Sequence, residues 1–381
     1  MLLVKNNNFL RGFVKLVIYS RSISSASLYV HWPYCRKRCT YCNFNKYISN
    51  SVDHERMKTC LVKEAATLIS QSRVQLISSV FFGGGTPSLA KPATIQSVIE
   101  CVSRESVLSK DAEISMEVNP TALQADQLRV FREAGINRVS IGVQTLRPEG
   151  LRTLGRDHTV QESLNCAEAA SALFPGKVSL DLIFGWPGQT LEMWCEELKQ
   201  ILLVCDKHLS LYQLTVERGT RLNTQVQSGQ LQVAEPALSE DMYLHAVEFL
   251  EQNGFERYEI SNFAKEGQYC EHNMSYWDGG EYIGVGPGAH GRFQPIGKLE
   301  REARIQTLSP DAWMEEVEVR GHGTRSTMPL GLHERLEELL VVGLRTKWGI
   351  SHQTWSQLSP NQSLTSLSQS VELQDYLDSG L

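Results

Sequence analysis

From residue 27 to residue 216 the chain alternates between two textures, and that alternation limits its fold more than any other feature. Short β-rich runs at 27–32, 78–83, 113–119, 138–144, 178–185 and 208–216 are separated by stretches of helical spacing at 53–72, 93–107, 121–134, 160–172 and 190–204. Strand and helix alternating in this way imply a parallel sheet, because parallel neighbours need a crossover connection that a tight turn cannot supply. Six units fall short of a closed eightfold barrel. The expected architecture is therefore α/β, an open (β/α)6 partial barrel whose active face lies at the carboxyl ends of its strands.

That expectation sorts the unusual residues onto one rim. Gly83-Gly84-Gly85-Thr86-Pro87 follows the second run, Glu117-Val118-Asn119-Pro120 ends the third, Gln144 ends the fourth, and Asp181 with Gly185-Trp186-Pro187-Gly188-Gln189 lies on and after the fifth. A triple glycine after a buried strand lets the backbone approach a ligand closely and presents bare N–H and C=O groups. A carboxylate at a strand end can accept hydrogen bonds from sugar hydroxyls or an ammonium group. Taken singly, each of these reads as a cap or turn residue. Together on one rim they point to a ligand.

The first run leads into Tyr29-Val-His-Trp-Pro-Tyr-Cys35-Arg-Lys-Arg-Cys39-Thr-Tyr41-Cys42-Asn-Phe44, three thiols at C-x3-C-x2-C spacing with no fourth. A 4Fe-4S cluster normally takes four thiolates, so three on one loop leave an iron open to another ligand. Cysteine is the soft donor such clusters want. Zinc is the competing reading, with His31 as the nearest candidate for a fourth ligand. The other six cysteines, Cys60, Cys101, Cys166, Cys195, Cys205 and Cys270, are scattered. In a chain of this length that pattern suggests a metal site and buried free thiols in a reducing compartment, not a disulfide scaffold.

The first 27 residues carry Lys5, Arg11, Lys15 and Arg21, five serines between positions 20 and 27, and no acid before Asp53. Basic, serine-rich, acid-free composition is that of a mitochondrial presequence, or transit peptide. A disordered basic tail is the plainer alternative, and Lys15 interrupts the apolar core that a secretory signal needs. No apolar run reaches the ~18 residues of a membrane span. The net charge of −6 gives no reason to expect a nucleic-acid partner.

Past residue 220 the rhythm fades. Residues 240–253 and 332–346 read as helices and 257–263 as a strand, with a glycine-dense segment from Asn273 to Gly291; the last 31 residues, with eight serines and five glutamines, carry little periodicity.

The C-x3-C-x2-C loop, with Tyr41 before the last cysteine, resembles the signature of radical S-adenosylmethionine (SAM) enzymes, and the glycine run resembles their methionine-binding segment. In that superfamily the open iron is chelated by the amino and carboxylate groups of SAM. Over roughly 27–350 the chain is most similar to the oxygen-independent coproporphyrinogen oxidases and their haem-chaperone relatives. The resemblance implies a 4Fe-4S cluster on Cys35, Cys39 and Cys42. It also implies SAM contacts from Tyr29, Tyr41, Gly84, Gly85, Thr86, Glu117, Gln144, Arg156 in Leu-Gly-Arg-Asp-His, and Asp181.

Two features distinguish oxidase from chaperone. The oxidases have a further cysteine two residues after the third, where this chain has Phe44 as the chaperones do. Cys270-Glu-His272-Asn273-Met-Ser-Tyr276-Trp277 resembles the His-Asn-x-x-Tyr-Trp motif of HemW-type haem chaperones. The motif implies haem as a further cofactor. Imidazole is a common axial ligand, and Tyr276 and Trp277 offer flat surfaces to a porphyrin. His272 is then the expected ligand and Cys270 a weaker candidate, while His290 in Gly284-Val-Gly-Pro-Gly-Ala-His-Gly291 is open between packing and ligation.

The resulting expectation is a haem chaperone of the mitochondrial matrix without coproporphyrinogen oxidase activity. It divides into a presequence at 1–27, a radical-SAM core at 28–265 and a smaller α+β haem-binding region at 266–381. Its partners would be haem and acceptor haemoproteins of the respiratory chain, with peripheral membrane contact left open. The rival readings are a coproporphyrinogen dehydrogenase and a non-catalytic iron–sulfur interaction protein. The family's helical and winged-helix-like tail is longer than the one this chain carries, which suggests a truncated C-terminal domain.

Overall fold

The computed structural model describes residues 24–49, 51–361 and 363–368. The segment expected to be a presequence lies outside them except at its end, where Ser25–Ser27 already belong to the first strand. Six strands, β1 (Ser25–Trp32), β2 (Leu76–Gly84), β3 (Val107–Val118), β4 (Arg138–Gln144), β5 (Val178–Phe184) and β6 (His208–Gln213), pair in that order and all in parallel. Helices α1 (His54–Gln71), α2 (Pro92–Glu105), α3 (Ala122–Glu133), α4 (Pro148–Leu154), α5 (Val160–Leu173) and α6 (Leu191–Ile201) fill the crossovers. The open barrel expected from the alternation is present. β3 begins at Val107 and not at 113, because Val107 and Leu108 pair with Leu76 and Ile77 ahead of a register break. Lys110 and Asp111 make that stretch look like a loop in sequence.

Successive residues of a strand face opposite sides of the sheet. Leu28, Val30, Val80, Phe82, Met116, Val139, Ile141, Leu180, Leu182, Leu209 and Leu211 are buried against Leu61, Leu68, Ile95, Val98, Leu128 and Phe131 of the surrounding helices. The residues between them point into the barrel, and many are polar: Ser27, Ser79, Ser115, Arg138, Ser179, His208 and Ser210 are all buried. The barrel interior is therefore hydrogen-bonded where the outer layer is apolar.

After β6, α7 (Arg221–Gln227) and α8 (Pro236–Gln252) lead to a hairpin of β7 (Glu256–Glu259) and β8 (Asn262–Ala264), with β8 antiparallel to β6. α9 (Glu271–Trp277) then brings the chain back to the opposite edge, where β9 (Glu281–Val285) pairs in parallel with β1. Three antiparallel strands follow, β10 (His290–Phe293), β11 (Arg301–Gln306) and β12 (Thr324–Leu330), giving one twelve-stranded sheet. Residues after 266 thus continue the barrel sheet. α10 (Pro310–Arg320) packs on α1, and α11 (Leu332–Gly343), expected at 332–346, packs on α9 and β12.

A buried carboxylate ties α1 to this extension. Glu64 is fully buried and accepts hydrogen bonds from the backbone N–H of Gly286 (2.7 Å), the backbone N–H of Gly323 (2.6 Å) and the indole N–H of Trp313 (3.0 Å). Burial pushes its pKa up to about 7 against the pull of these donors. Glu64→Ala leaves all three donors unpaired and should cost about 3–5 kcal/mol in denaturant unfolding. The folded-state pKa lies above the unfolded one, so Glu64 contributes most below pH ~4.5 and progressively less as pH rises through ~7. The stability of the parent relative to Glu64→Gln should fall over that interval, by at most about 1.4 kcal/mol per pH unit.

Candidate functional site

A cavity of about 430 Å³ opens at the carboxyl ends of the strands, as the topology requires. Its walls include Cys35, Cys39, Tyr41, Cys42, Gly84, Gly85, Thr86, Glu117, Gln144, Arg156 and Asp181. Eleven of the thirteen residues singled out from the sequence therefore meet in one place; Tyr29 and His272 lie below it.

The cysteine loop is held on several sides. Tyr34 and Cys35 form a short parallel ladder with Tyr47 and Ile48. The Thr40 N–H donates to Leu154 O (3.1 Å) and its hydroxyl to Thr153 O (2.8 Å), fixing the loop on α4. Asn45 anchors the other end, its side-chain amide donating to Pro287 O (2.8 Å) and Leu308 O (2.9 Å). Gly288 makes that approach feasible, since a Cβ there would stand 2.5 Å from the Asn45 amide. Two cavity residues touch the thiols: the Thr86 hydroxyl donates to Cys35 Sγ and Arg156 Nη1 to Cys39 Sγ, both at 3.3 Å. Burial pushes the Cys35 thiol up to about 11. His31, the candidate fourth ligand for zinc, is committed elsewhere: its Nε2 donates to Asn45 O (2.7 Å) and its Nδ1 meets the Tyr29 hydroxyl (3.0 Å).

Opposite the thiols stand two carboxylates. Glu117 accepts from the Gly84 N–H (3.1 Å), and Asp181 accepts from the Ser140 hydroxyl through both oxygens (2.8 and 2.7 Å) and from Ser179 (3.2 Å). Burial, then the nearby Asp181, pushes Glu117 up to about 8; burial also raises Asp181, against its hydroxyl partners. Two carboxylates held this way favour a cationic or hydroxyl-rich ligand between them. Gly84 is needed as glycine, with φ +111° and a ring carbon of His31 only 2.4 Å from any Cβ it might carry.

The end of β4 is distorted. Gln144 has φ 68°, the left-handed region that non-glycine residues seldom adopt, and the β4–β5 register breaks between Ile141 and Gln144. Arg156 reaches across this break, donating to Gly142 O (3.2 Å) and to the Asn119 side chain. Strain of this kind persists where surrounding structure over-determines it. Asn119, Ser140 and Tyr212 also line the cavity and were not picked out as site residues from sequence. Their signal was positional: Asn119 and Tyr212 sit at or near the carboxyl end of a strand, and Ser140 and Tyr212 share the inward parity of Gly142 and Ser210.

Below lies a smaller polar chamber of about 210 Å³, sharing Glu117, Ser140, Asp181 and Tyr212 with the upper cavity. Tyr29, expected among the SAM contacts, faces this chamber, stacked on Phe81. α9 closes the floor, anchored by Glu113, which accepts from the Cys270 thiol (3.3 Å) and the N–H groups of Glu271 and His272 (3.2 Å each) and pairs with buried Arg138 (3.5 Å). His272, expected to ligate haem, is 1% exposed. Its Nδ1 meets the Ser79 hydroxyl at 2.9 Å, its Nε2 meets the Tyr276 hydroxyl at 3.0 Å, and its ring stacks on Phe81. Burial pulls its pKa down to about 3. Tyr276 is wedged edge-on between His272 and Tyr282, and Arg345 covers Trp277. In this arrangement both ring nitrogens of His272 are hydrogen-bonded and the Cys270 thiol donates to Glu113.

If the Gln144 backbone is strained for the sake of its side chain, Gln144→Gly should keep thermal stability within about 1 kcal/mol of the parent, while Gln144→Val should lose about 1–3 kcal/mol.

Comparison with known proteins gives this geometry its context. The radical SAM superfamily matches residues 29–201 and the HemN C-terminal domain matches 330–381. Radical S-adenosyl methionine domain-containing protein 1, mitochondrial, of Danio rerio is 52% identical over 375 residues, covering 95% of this chain and 84% of that protein. The heme chaperone HemW of Bacillus subtilis is 33% identical, covering 93% of this chain and 92% of its own length. Among solved structures, coproporphyrinogen III oxidase (HemN) from Escherichia coli superposes with a TM-score of 0.73 at 22% identity, over 89% of this chain and 80% of that one, a shared fold. The chain belongs to the radical SAM superfamily, within the family that contains radical S-adenosyl methionine domain-containing protein 1 and heme chaperone HemW.

Proposed function

We propose that this protein is a mitochondrial haem chaperone that holds a 4Fe-4S cluster on Cys35, Cys39 and Cys42, binds SAM in the rim cavity, and passes haem to acceptor haemoproteins. The observation that carries the cofactor reading is the convergence of three thiols, a half-buried arginine and two half-buried carboxylates on one cavity. His31, the candidate fourth ligand for zinc, has both ring nitrogens hydrogen-bonded elsewhere, which favours the cluster reading over zinc.

Held by Cys35, Cys39 and Cys42, a cluster would supply the electron that a bound sulfonium accepts. The chain's own residues have defined parts in holding that ligand. The bare backbone at Gly84 and Gly85 accommodates its methionine end, and Glu117 and Asp181 offer acceptors to its ammonium and hydroxyl groups. Arg156 keeps Cys39 and the broken end of β4 in place. The haem-carrier assignment rests on the heme chaperone HemW relatives, and on Phe44 standing where the oxidases have a further cysteine. Phe44 is 60% exposed at the cavity edge. The mitochondrial assignment rests on the names of the relatives and on the basic, acid-free start of the chain.

Anaerobic reconstitution of the triple Cys35/Cys39/Cys42→Ala variant should yield no 4Fe-4S absorption or EPR signal; a full signal would remove the cluster assignment. Glu117→Ala and Asp181→Ala, with the cluster intact, should each weaken SAM binding by about 1–3 kcal/mol in calorimetry. Anaerobic turnover of coproporphyrinogen by the reconstituted protein would favour the dehydrogenase reading instead.

A further inference from the structure

We infer that His158 is a positioning residue for the rim cavity: it clamps the backbone turn that aims Gln144 at the bound ligand. This rests on the proposal that SAM occupies that cavity, and it names what holds one wall of the site in shape. The turn itself is unusual. Gln144 has φ 68°, and the Thr145 N–H donates to Val143 O, two residues back, at 2.9 Å. A left-handed centre closed by such a bond is a γ-turn of the rare, strained form. It lies where β4 breaks register with β5. The Gln144 side chain folds back along β4, since a Cβ on Gly142 would stand 2.7 Å from its amide nitrogen. Gln144 lines the cavity, so the turn decides where that amide points.

Gly142 and Val143 drop out of register with both neighbouring strands, and side chains from elsewhere take the backbone groups around the break. Arg156 Nη2 donates to Gly142 O (3.2 Å), His158 Nε2 donates to Val143 O (3.2 Å), and the Leu146 N–H donates to the buried Glu197 carboxylate. A carbonyl oxygen only accepts, so His158 carries a proton on Nε2. Burial, then the nearby Arg156 charge, pulls its pKa down to about 4, which leaves the ring neutral near pH 7. Its Nδ1 is buried without a hydrogen-bond partner among the described residues. An unpartnered buried nitrogen lowers stability, so an apolar ring would pack there at less cost. What histidine adds at this position is the donor at Nε2.

That donor is firmly mounted. His158 stands immediately before Thr159, whose side chain forms a reciprocal capping box with Glu162 at the start of α5. On its other side Asp157 accepts from the Asn119 amide (3.0 Å), and Arg156 is fixed on Cys39 Sγ and the Asn119 side chain. The peptide unit between Val143 and Gln144 is planar, so a donor fixed on Val143 O sets the tilt of that plane and, through it, the direction in which Gln144 leaves the strand. Arg156 and His158 thus brace the two carbonyls that precede Gln144, one each.

The test measures SAM binding to the full-length, cluster-loaded protein by anaerobic calorimetry, alongside cluster content and the unfolding midpoint. His158→Phe keeps a flat ring but donates nothing; it should fold, keep its cluster content and bind SAM about fivefold more weakly or worse. His158→Gln, whose amide nitrogen replaces the lost donor, should bind within about twofold of the parent. Gln144→Ala should weaken binding by itself, and adding His158→Phe to it should cost nothing further, because the histidine acts through that side chain. Parental affinity in His158→Phe or in Gln144→Ala would overturn the assignment. So would losses that add in the double variant, or a folded His158→Gln that binds as weakly as His158→Phe. If His158→Phe does not fold, His158→Leu takes its place under the same criteria. If the parent itself binds no SAM, the cofactor proposal fails first and this role with it.

Discussion

A barrel lined with carboxylates, histidines and hydroxyls must satisfy every one of them away from water, and that requirement shapes the molecule. An ion pair stripped of solvent gains little unless further hydrogen bonds complete it. The floor shows how this is met. Glu113 is paired with Arg138 and also takes two backbone N–H groups and a thiol from the start of α9. His272 and His208 are each bonded at both nitrogens, by Ser79 and Tyr276 and by Ser179 and Tyr258. Polar groups at the floor are closed among themselves, while Glu117 and Asp181, one layer higher, keep acceptor capacity facing the cavity. The two layers use the same residue types, and their difference in hydrogen bonding separates structure from site.

Much of this was legible in the sequence. The period-2 strands and the turns between them locate the rim, and the glycine run, the strand-end carboxylates and the three cysteines fall on it without tertiary information. Arg156 became visible only through motif context, because a lone arginine has no local signature. The extension was not legible: β9–β12 are short, glycine-rich or charged, and their partners lie far away, β9 beside β1. β11 carries three charged residues, Arg301, Glu302 and Arg304, and two of them, Glu302 and Arg304, are buried against each other. His272 shows the limit of a motif most clearly. Its residue type fits a haem ligand, but whether both nitrogens are already spoken for depends on Ser79, nearly two hundred residues earlier.

The glycine-dense segment changes meaning once folded. Its density alone says little about its role, and in the fold much of it serves close packing. The Gly286 N–H is bound by Glu64, and Gly288 makes room for the Asn45 amide. The absence of side chains lets the extension sit directly on the loop that carries the thiols. The glycines on β2, by contrast, are open to the cavity. Identical composition thus marks a wall in one place and a clamp in the other.

The pairing of β1 with β9 also sets an order of events in the life of the chain. Until residues 281–285 have been synthesised, or drawn through a membrane, β1 is an edge strand with unpaired backbone groups. Over the same interval Asn45 lacks the two carbonyls that hold the cysteine loop. The thiols appear early in the chain, but the contacts that hold their loop come from its last third, so the loop gains its clamp only in a nearly complete polypeptide.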